Sequence, residues 1–164
     1  LNLHFEDANL TELPEIMTIE NAGFSPAEAA TETAMKERIS LYPDTFITAK
    51  NGEDQLVGYI VGPAFDHRYL TDELFDQSHP NRTKDRYQTV LSLAVHPSFR
   101  GQGVASQLLT ELAKVAKAQN RIAITLTCLA NLVSFYEQNG YQNEGLSASS
   151  HAGETWYNMV FTLE

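Results

Sequence analysis

At 164 residues the chain has the length of one domain, and 43% apolar residues without a low-complexity stretch lead us to expect a folded, globular core. A formal charge of −10 argues against nucleic acid as a partner, because phosphate backbones are held by basic patches. One cysteine excludes an internal disulfide, and the lack of a signal peptide or long apolar run makes the expected protein cytoplasmic and not membrane-bound.

Leu3-His4-Phe5 alternates and predicts a short edge strand. Asn9 or Thr11 can cap a helix carrying Leu13, Ile16, Met17 and Glu20, with Pro14 in its first turn. Gly23-Phe24-Ser25-Pro26 breaks the chain. Ser25, Pro26 and Glu28 then read as a capping box that opens a second helix, about Ala27 to Leu41. Thr45 to Ala49, Asn51-Gly52 and Gln55 to Val61 predict a hairpin. Residues 63–86 are polar and irregular, with one short helix at Thr71 to Gln77. His67, His79 and Asp85 fall in this loop without metal-ligand spacing and read as solvated surface, so no metal site is expected.

Thr89 to Val95 is apolar on both faces and predicts a buried strand, which His96-Pro97 ends. After Arg100-Gly101-Gln102-Gly103, a helix follows with Val104, Leu108, Leu109, Leu112, Val115 and Ala116 at helical spacing. Its first turn offers free N–H groups and a partial positive charge, and the two glycines let the backbone approach a ligand closely. Such an end suits a phosphate or pyrophosphate. The turn is neither Gly-Lys-Ser/Thr nor G-x-G-x-x-G, so glycine spacing alone leaves the ligand open. Arg121 to Thr127 is the next strand, parallel to 89–95 if the helix is a right-handed crossover. Cys128 reads as a small buried residue. Leu132 to Asn139 predicts a helix closed by Gly140. Tyr141 to Ser147 and Thr155 to Leu163 predict two antiparallel strands joined by the turn Ser147 to Gly153.

Arg100-Gly101-Gln102-Gly103-Val104-Ala105 resembles the Q/R-x-x-G-x-G/A signature of the GCN5-related N-acetyltransferases, and it follows a strand ending Leu-Ala-Val-His-Pro as in that family. The stretch from Leu129 through Asn131, Phe135 and Tyr136 to Gly140-Tyr141 is similar to the family's second hallmark, a helix along the coenzyme arm. Ser25-Pro26, the strand Leu56 to Gly62 and Leu93 to Arg100 fall in the order of the arylalkylamine N-acetyltransferase branch. The resemblance implies an α/β (α+β) GNAT fold: a mixed, mostly antiparallel sheet of about six or seven strands with a splayed parallel pair at its centre, flanked by about four helices. It also implies acetyl-CoA as cosubstrate, held by Leu93, Ala94, Val95, Arg100, Gly101, Gln102, Gly103, Val104, Ala105, Ser106, Asn131, Phe135 and Tyr136. The acceptor would be a small-molecule amine, touched by Phe24, Pro26, Leu91 and Thr127.

Acetyl transfer needs an oriented thioester, a neutral amine and a proton for the departing thiolate. Backbone groups of Leu93 and Val95 could pair with the pantetheine arm as a strand would. Tyr136 is the expected acid: a phenol with a pKa near 10 stays protonated at neutral pH. An alkylamine with a pKa of about 10.4 is only ~0.1% neutral at pH 7, so a base is needed. The resembled branch has two histidines on the strand before the motif, where this chain has Thr89 and Leu91. Glu20, acting through a water, is the expected substitute, and a water chain without a dedicated residue is the competing account. Acetylation of a protein N-terminus or lysine, and an acetyl-CoA sensor without turnover, remain as alternatives.

Overall fold

The computed structural model describes residues 2–164. Among the described residues nine strands form two hydrogen-bonded sheets, ordered β1-β2-β3-β6 and β4-β5-β7-β9-β8. β1 (His4–Asp7), β2 (Phe46–Lys50), β3 (Leu56–Val61) and β6 (Ser92–Val95) pair antiparallel throughout. In the other sheet β4 (Ala64–Phe65), β5 (Tyr87–Val90), β7 (Ala123–Cys128), β9 (Tyr157–Thr162) and β8 (Gln142–Leu146) surround one parallel pair, β5 with β7. The expected fold class holds. The strand count exceeds the expected one because Ala64–Phe65 adds a strand and the run from Thr89 to Val95 is divided at Leu91.

Alternation along the strands feeds two cores. One joins Ile47, Val57, Ile60 and Ile124 to the apolar stripe of α4 (Val104–Ala118): Val104, Leu108, Leu112 and Ala116. The other joins Phe46, Tyr59 and Val61 to Ile16 and Ile19 of α1 (Leu13–Gly23) and to Met35 and Ile39 of α2 (Glu32–Leu41). Asn9 caps the chain ahead of α1, and the Asn9 N–H returns to Glu12 Oε1 at 3.0 Å.

The second helix begins later than its capping pattern predicts. Glu28 does accept from the Ser25 N–H at 3.1 Å, yet only a single turn forms there. The Ala30 N–H donates instead to Glu20 Oε2 at 2.8 Å, and Thr31 caps α2 through the Ala34 N–H at 3.1 Å. A tertiary bond across ten residues outcompetes the local one.

The polar stretch 63–86 holds β4 and a short helix, α3 (Glu73–Asp76). Asn81 pins it by accepting from the Ala64 N–H at 2.7 Å and donating to Thr45 Oγ1 at 3.0 Å. Arg68 clamps it to β8 with two bonds to Glu144 of 2.8 and 2.7 Å. Asp85, expected at the surface, is 2% exposed beside Arg121, whose Nη1 donates to the Asp85 carbonyl at 2.6 Å. Helix α5 (Val133–Gln138) ends at Gly140, whose φ of +89° suits glycine.

Candidate active site

The division at Leu91 creates the site. β5 runs beside β7 as far as Val90 and Leu126, whereas β6 turns to pair with β3, Ser92 opposite Val61. Gly62 permits the junction, since a Cβ there would lie 2.1 Å from the Thr89 carbonyl oxygen. Beyond it β6 and β7 part around a central cavity of about 390 Å³. Leu91, Leu93, Thr127, Asn131, Tyr136, Phe24 and Glu20 all line it. A second cavity, about 560 Å³, adjoins it and runs along Leu93–Val95 to the start of α4, and Gly23, Phe24, Leu93 and Leu132 line both. A third, about 170 Å³, adjoins the central one across Glu28, Phe75, Leu91, Ser92 and His151 and reaches the start of α2.

Arg100, Gly101, Gly103, Val104, Ala105, Ser106 and Phe135 line the second cavity together with Leu93, Ala94 and Val95. Gly101 and Gly103 take φ of +76° and +78°, and nothing lies within 4 Å of a Cβ built on either. No side chain among the described residues caps α4, and its first return bond runs from the Gln107 N–H to the Gly103 carbonyl. The N–H groups of Val104, Ala105 and Ser106 therefore face the cavity end with no intrahelical acceptor. An open glycine turn before a bare helix end fits a diphosphate in size and in charge.

Some of the expected contact residues lie apart from these cavities or already have partners within the chain. Gln102 is exposed and lines none of the three cavities. Pro26 is likewise exposed and outside them, because the chain turns there instead of starting α2. The Val95 carbonyl is engaged by Arg100 Nε at 3.3 Å, while Arg100 Nη2 donates to the Ala22 carbonyl at 3.3 Å. Arg100 thereby ties the end of α1 to β6 and takes up one of the two acceptor positions of the Val95 carbonyl. Asn131 and Tyr136 border the central cavity and not the second one.

Tyr136 is 7% exposed, its ring edge-on to Phe135 and Tyr141 at 5.1 and 5.6 Å. Burial pushes its phenol well above the ordinary value, and the neighbouring Cys128 adds to the rise. Burial also lifts the Cys128 thiol to about 11, so Cys128 is a protonated, weakly reactive group. Glu20 is 1% exposed. Its Oε1 accepts from the Tyr59 hydroxyl at 2.8 Å, and its Oε2 from Ala30 N–H at 2.8 Å and Ser92 Oγ at 3.1 Å. Burial raises the Glu20 pKa; the hydrogen bonds and the Arg38 guanidinium oppose that rise.

Thr89, at one of the two histidine positions of the resembled branch, is buried and donates its hydroxyl to the Pro63 carbonyl at 2.7 Å. The structure adds lining residues that the sequence left unmarked: Phe75, Arg38, His151 and Trp156. His151 stacks on Phe75 with ring centroids 4.9 Å apart and planes at 13°, and the Trp156 Nε1–H holds the His151 carbonyl at 2.8 Å. Separately, exposed His4, Glu6 and Asp54 gather at the β1 edge and line none of these cavities.

A 74-residue stretch is 32% identical to the tRNA(Met) cytidine acetyltransferase TmcA of Haloarcula marismortui, covering 44% of this chain and only 10% of that protein's length. Over whole chains the fold is similar to Ard1 from Thermoplasma volcanium, with a TM-score of 0.77 at 18% identity, covering 100% of this chain and 99% of that one. It is also similar to the GphF GNAT-like decarboxylase in complex with isobutyryl-CoA, with a TM-score of 0.83 at 12% identity, covering 98% and 100%. Residues 43–143 match the family model for an acetyltransferase (GNAT) domain, so the chain belongs to the GNAT acetyltransferase family, with acetyl-CoA as the cosubstrate that membership brings.

Proposed function

We propose that this chain transfers the acetyl group of acetyl-CoA to the primary amine of a small molecule, an arylalkylamine or a polyamine, by direct attack on the thioester. The observation that carries this reading is the adjacency of two cavities that share Gly23, Phe24, Leu93 and Leu132: one ends at the bare α4 N-terminus, the other is walled by Tyr136. The N–H groups of Val104, Ala105 and Ser106 would hold the diphosphate. The arm would then lie along Leu93–Val95, with the thioester in the gap between β6 and β7.

The acceptor would enter the central cavity past Phe24, Leu91 and Thr127, meeting Phe75 and Trp156 on the way. These aromatic walls, together with the order of motifs, favour the arylalkylamine branch. Glu20 and Glu28 also line that cavity and favour a cationic amine. Glu20 would take the ammonium proton through a water, and its upward-shifted pKa brings it nearer to working pH than an ordinary carboxylate. Tyr136 would give its proton to the thiolate as the tetrahedral adduct collapses; burial holds that proton more tightly than an ordinary phenol does, so the transfer requires the phenol pKa to fall toward that of the thiolate once the coenzyme fills the cavity.

Mass spectrometry of a reaction between acetyl-CoA and a mixed library of arylalkylamines and polyamines tests the reading. The expected result is a product heavier by one acetyl group together with free CoA. Binding of acetyl-CoA with no acetylated product from any amine would overturn it.

A further inference from the structure

We infer that the acceptor also carries a carboxylate, which binds Arg38 in the small cavity at the start of α2; the inference rests on the acetyl-transfer reading above. Arg38 is 1% exposed yet lines that cavity. A guanidinium has five N–H donors. One Nη2–H reaches the Phe75 carbonyl at 3.2 Å, and Nη1 finds only the Met35 thioether at 3.8 Å. The Nε–H has no partner, and Arg38 takes part in none of the ion pairs among the described residues. A buried cation in this condition is costly until an anion meets it.

The surrounding wall is built for an anion as well. Thr31, Thr33 and Ala34, the first turn of α2, line the cavity. Thr31 Oγ1 satisfies the Ala34 N–H, which leaves the N–H groups of Glu32 and Thr33 without intrahelical acceptors at the positive end of a ten-residue helix. His151 stands on the opposite wall against Phe75.

Three carboxylates also border the cavity: Glu28, Glu37 and Asp76. Glu37 and Asp76 are exposed, where water and salt screen them, and Glu28 already accepts from the Ser25 N–H. Glu20 attracts Arg38 from the central cavity, but beyond ion-pair distance. This rim would repel a dianionic phosphate more strongly than a singly charged carboxylate, whose two coplanar oxygens match the guanidinium fork. Because Phe75, Leu91, Ser92 and His151 border both cavities, a carboxylate on Arg38 would leave the rest of the molecule pointing into the central cavity. An amine and a carboxylate in one molecule, as in an amino acid bearing an aryl group, meet both requirements.

Three probes isolate the charge: phenethylamine carries the amine alone, 3-phenylpropionate the carboxylate alone, and phenylalanine both. They are titrated into the ¹⁵N-labelled full chain while the buried Arg38 Nε–H resonance, assigned by its loss in Arg38→Gln or Arg38→Lys, is followed by NMR. The expected result is a saturable shift with phenylalanine and with 3-phenylpropionate and none with phenethylamine. In turnover, kcat/KM for phenylalanine should exceed that for phenethylamine at least tenfold, and Arg38→Gln should bring the ratio close to one. No shift with either carboxylate, or an equal shift with the bare amine, overturns the site even if amines are acetylated. A carboxylate-specific shift with no acetylated product from any amine keeps the site and defeats the acetyl-transfer reading instead.

Discussion

Gly103→Ala tests whether the turn before α4 is shaped for a ligand or for the chain itself. Gly103 has a φ of +78°, and a Cβ there meets nothing within 4 Å. The substitution therefore clashes with no protein atom, and its cost to the free chain is backbone strain of about 1–2 kcal/mol. For a chain of this size that lowers Tm by roughly 2–8 °C. The methyl group would, however, fill the space the diphosphate needs beside the free N–H groups, and CoA affinity should fall at least tenfold, about 1.4 kcal/mol. Gly145→Ala is the control. Gly145 also has positive φ, +100°, and open space around its Cβ, but it sits in β8 and lines none of the three cavities. Thermal unfolding should show similar losses for both variants, whereas calorimetric titration of CoA should separate them. Wild-type CoA affinity in Gly103→Ala, or an equal loss in Gly145→Ala, would refute the argument.

Tyr136→Phe should lower kcat at least tenfold and leave the CoA dissociation constant within about twofold of wild type; a kcat within twofold would remove Tyr136 from the chemistry. Glu20→Gln should cut kcat/KM for the amine and abolish its dependence on an ionised carboxylate. The same variant has a stability signature. Because the folded pKa of Glu20 lies above 4.5, the folded chain holds its proton more tightly than the unfolded one. The wild type should then lose stability from this group as pH rises from 4.5 through the raised value, and Glu20→Gln should flatten that slope; an unchanged slope in thermal melts would count against it. The swap is tolerable, since the Tyr59 hydroxyl can donate to the Ile16 carbonyl at 3.3 Å and accept from the new amide. Gly62→Ala should destabilise by about 3 kcal/mol or more, because its Cβ would meet the Thr89 carbonyl at 2.1 Å and backbone cannot yield as a side chain can. A melting temperature within a few degrees of wild type would contradict the close approach of these segments.

The parts of this fold legible in the sequence are those where period and local chemistry agree. The stripe from Val104 to Ala116 and the two-faced apolarity before His96 gave a strand, a turn and a helix, and all three are present. The division at Leu91 was not legible, because a continuous apolar run looks the same whether it stays in one sheet or passes between two. What marks it is a long-range contact, the Leu91 N–H donating to the Val61 carbonyl at 2.7 Å. The donor end of the site follows similar logic, since free N–H groups and glycines are local properties of the chain from Gly101 to Ser106.

The acceptor end is different in kind. Arg38 lies in a helix with few large apolar residues, and it becomes buried only when Met35 and Ile39 of α2 join the core of α1 and the first sheet and the Phe75 carbonyl comes to meet it. His151 lies in a serine-rich turn and gains its place through Trp156, five residues on, and Phe75, which belongs to a separate loop. A nucleotide-like ligand can be met by backbone at one bend, where sequence spacing records it. The proposed acceptor would be met by side chains from α1, α2, the 63–86 segment and the β8–β9 turn, whose meeting is decided by tertiary packing. Acceptor preference in this chain should therefore move with single substitutions at Arg38, Phe75 or His151, while the α4 turn, built from main chain, leaves coenzyme binding unaffected by them.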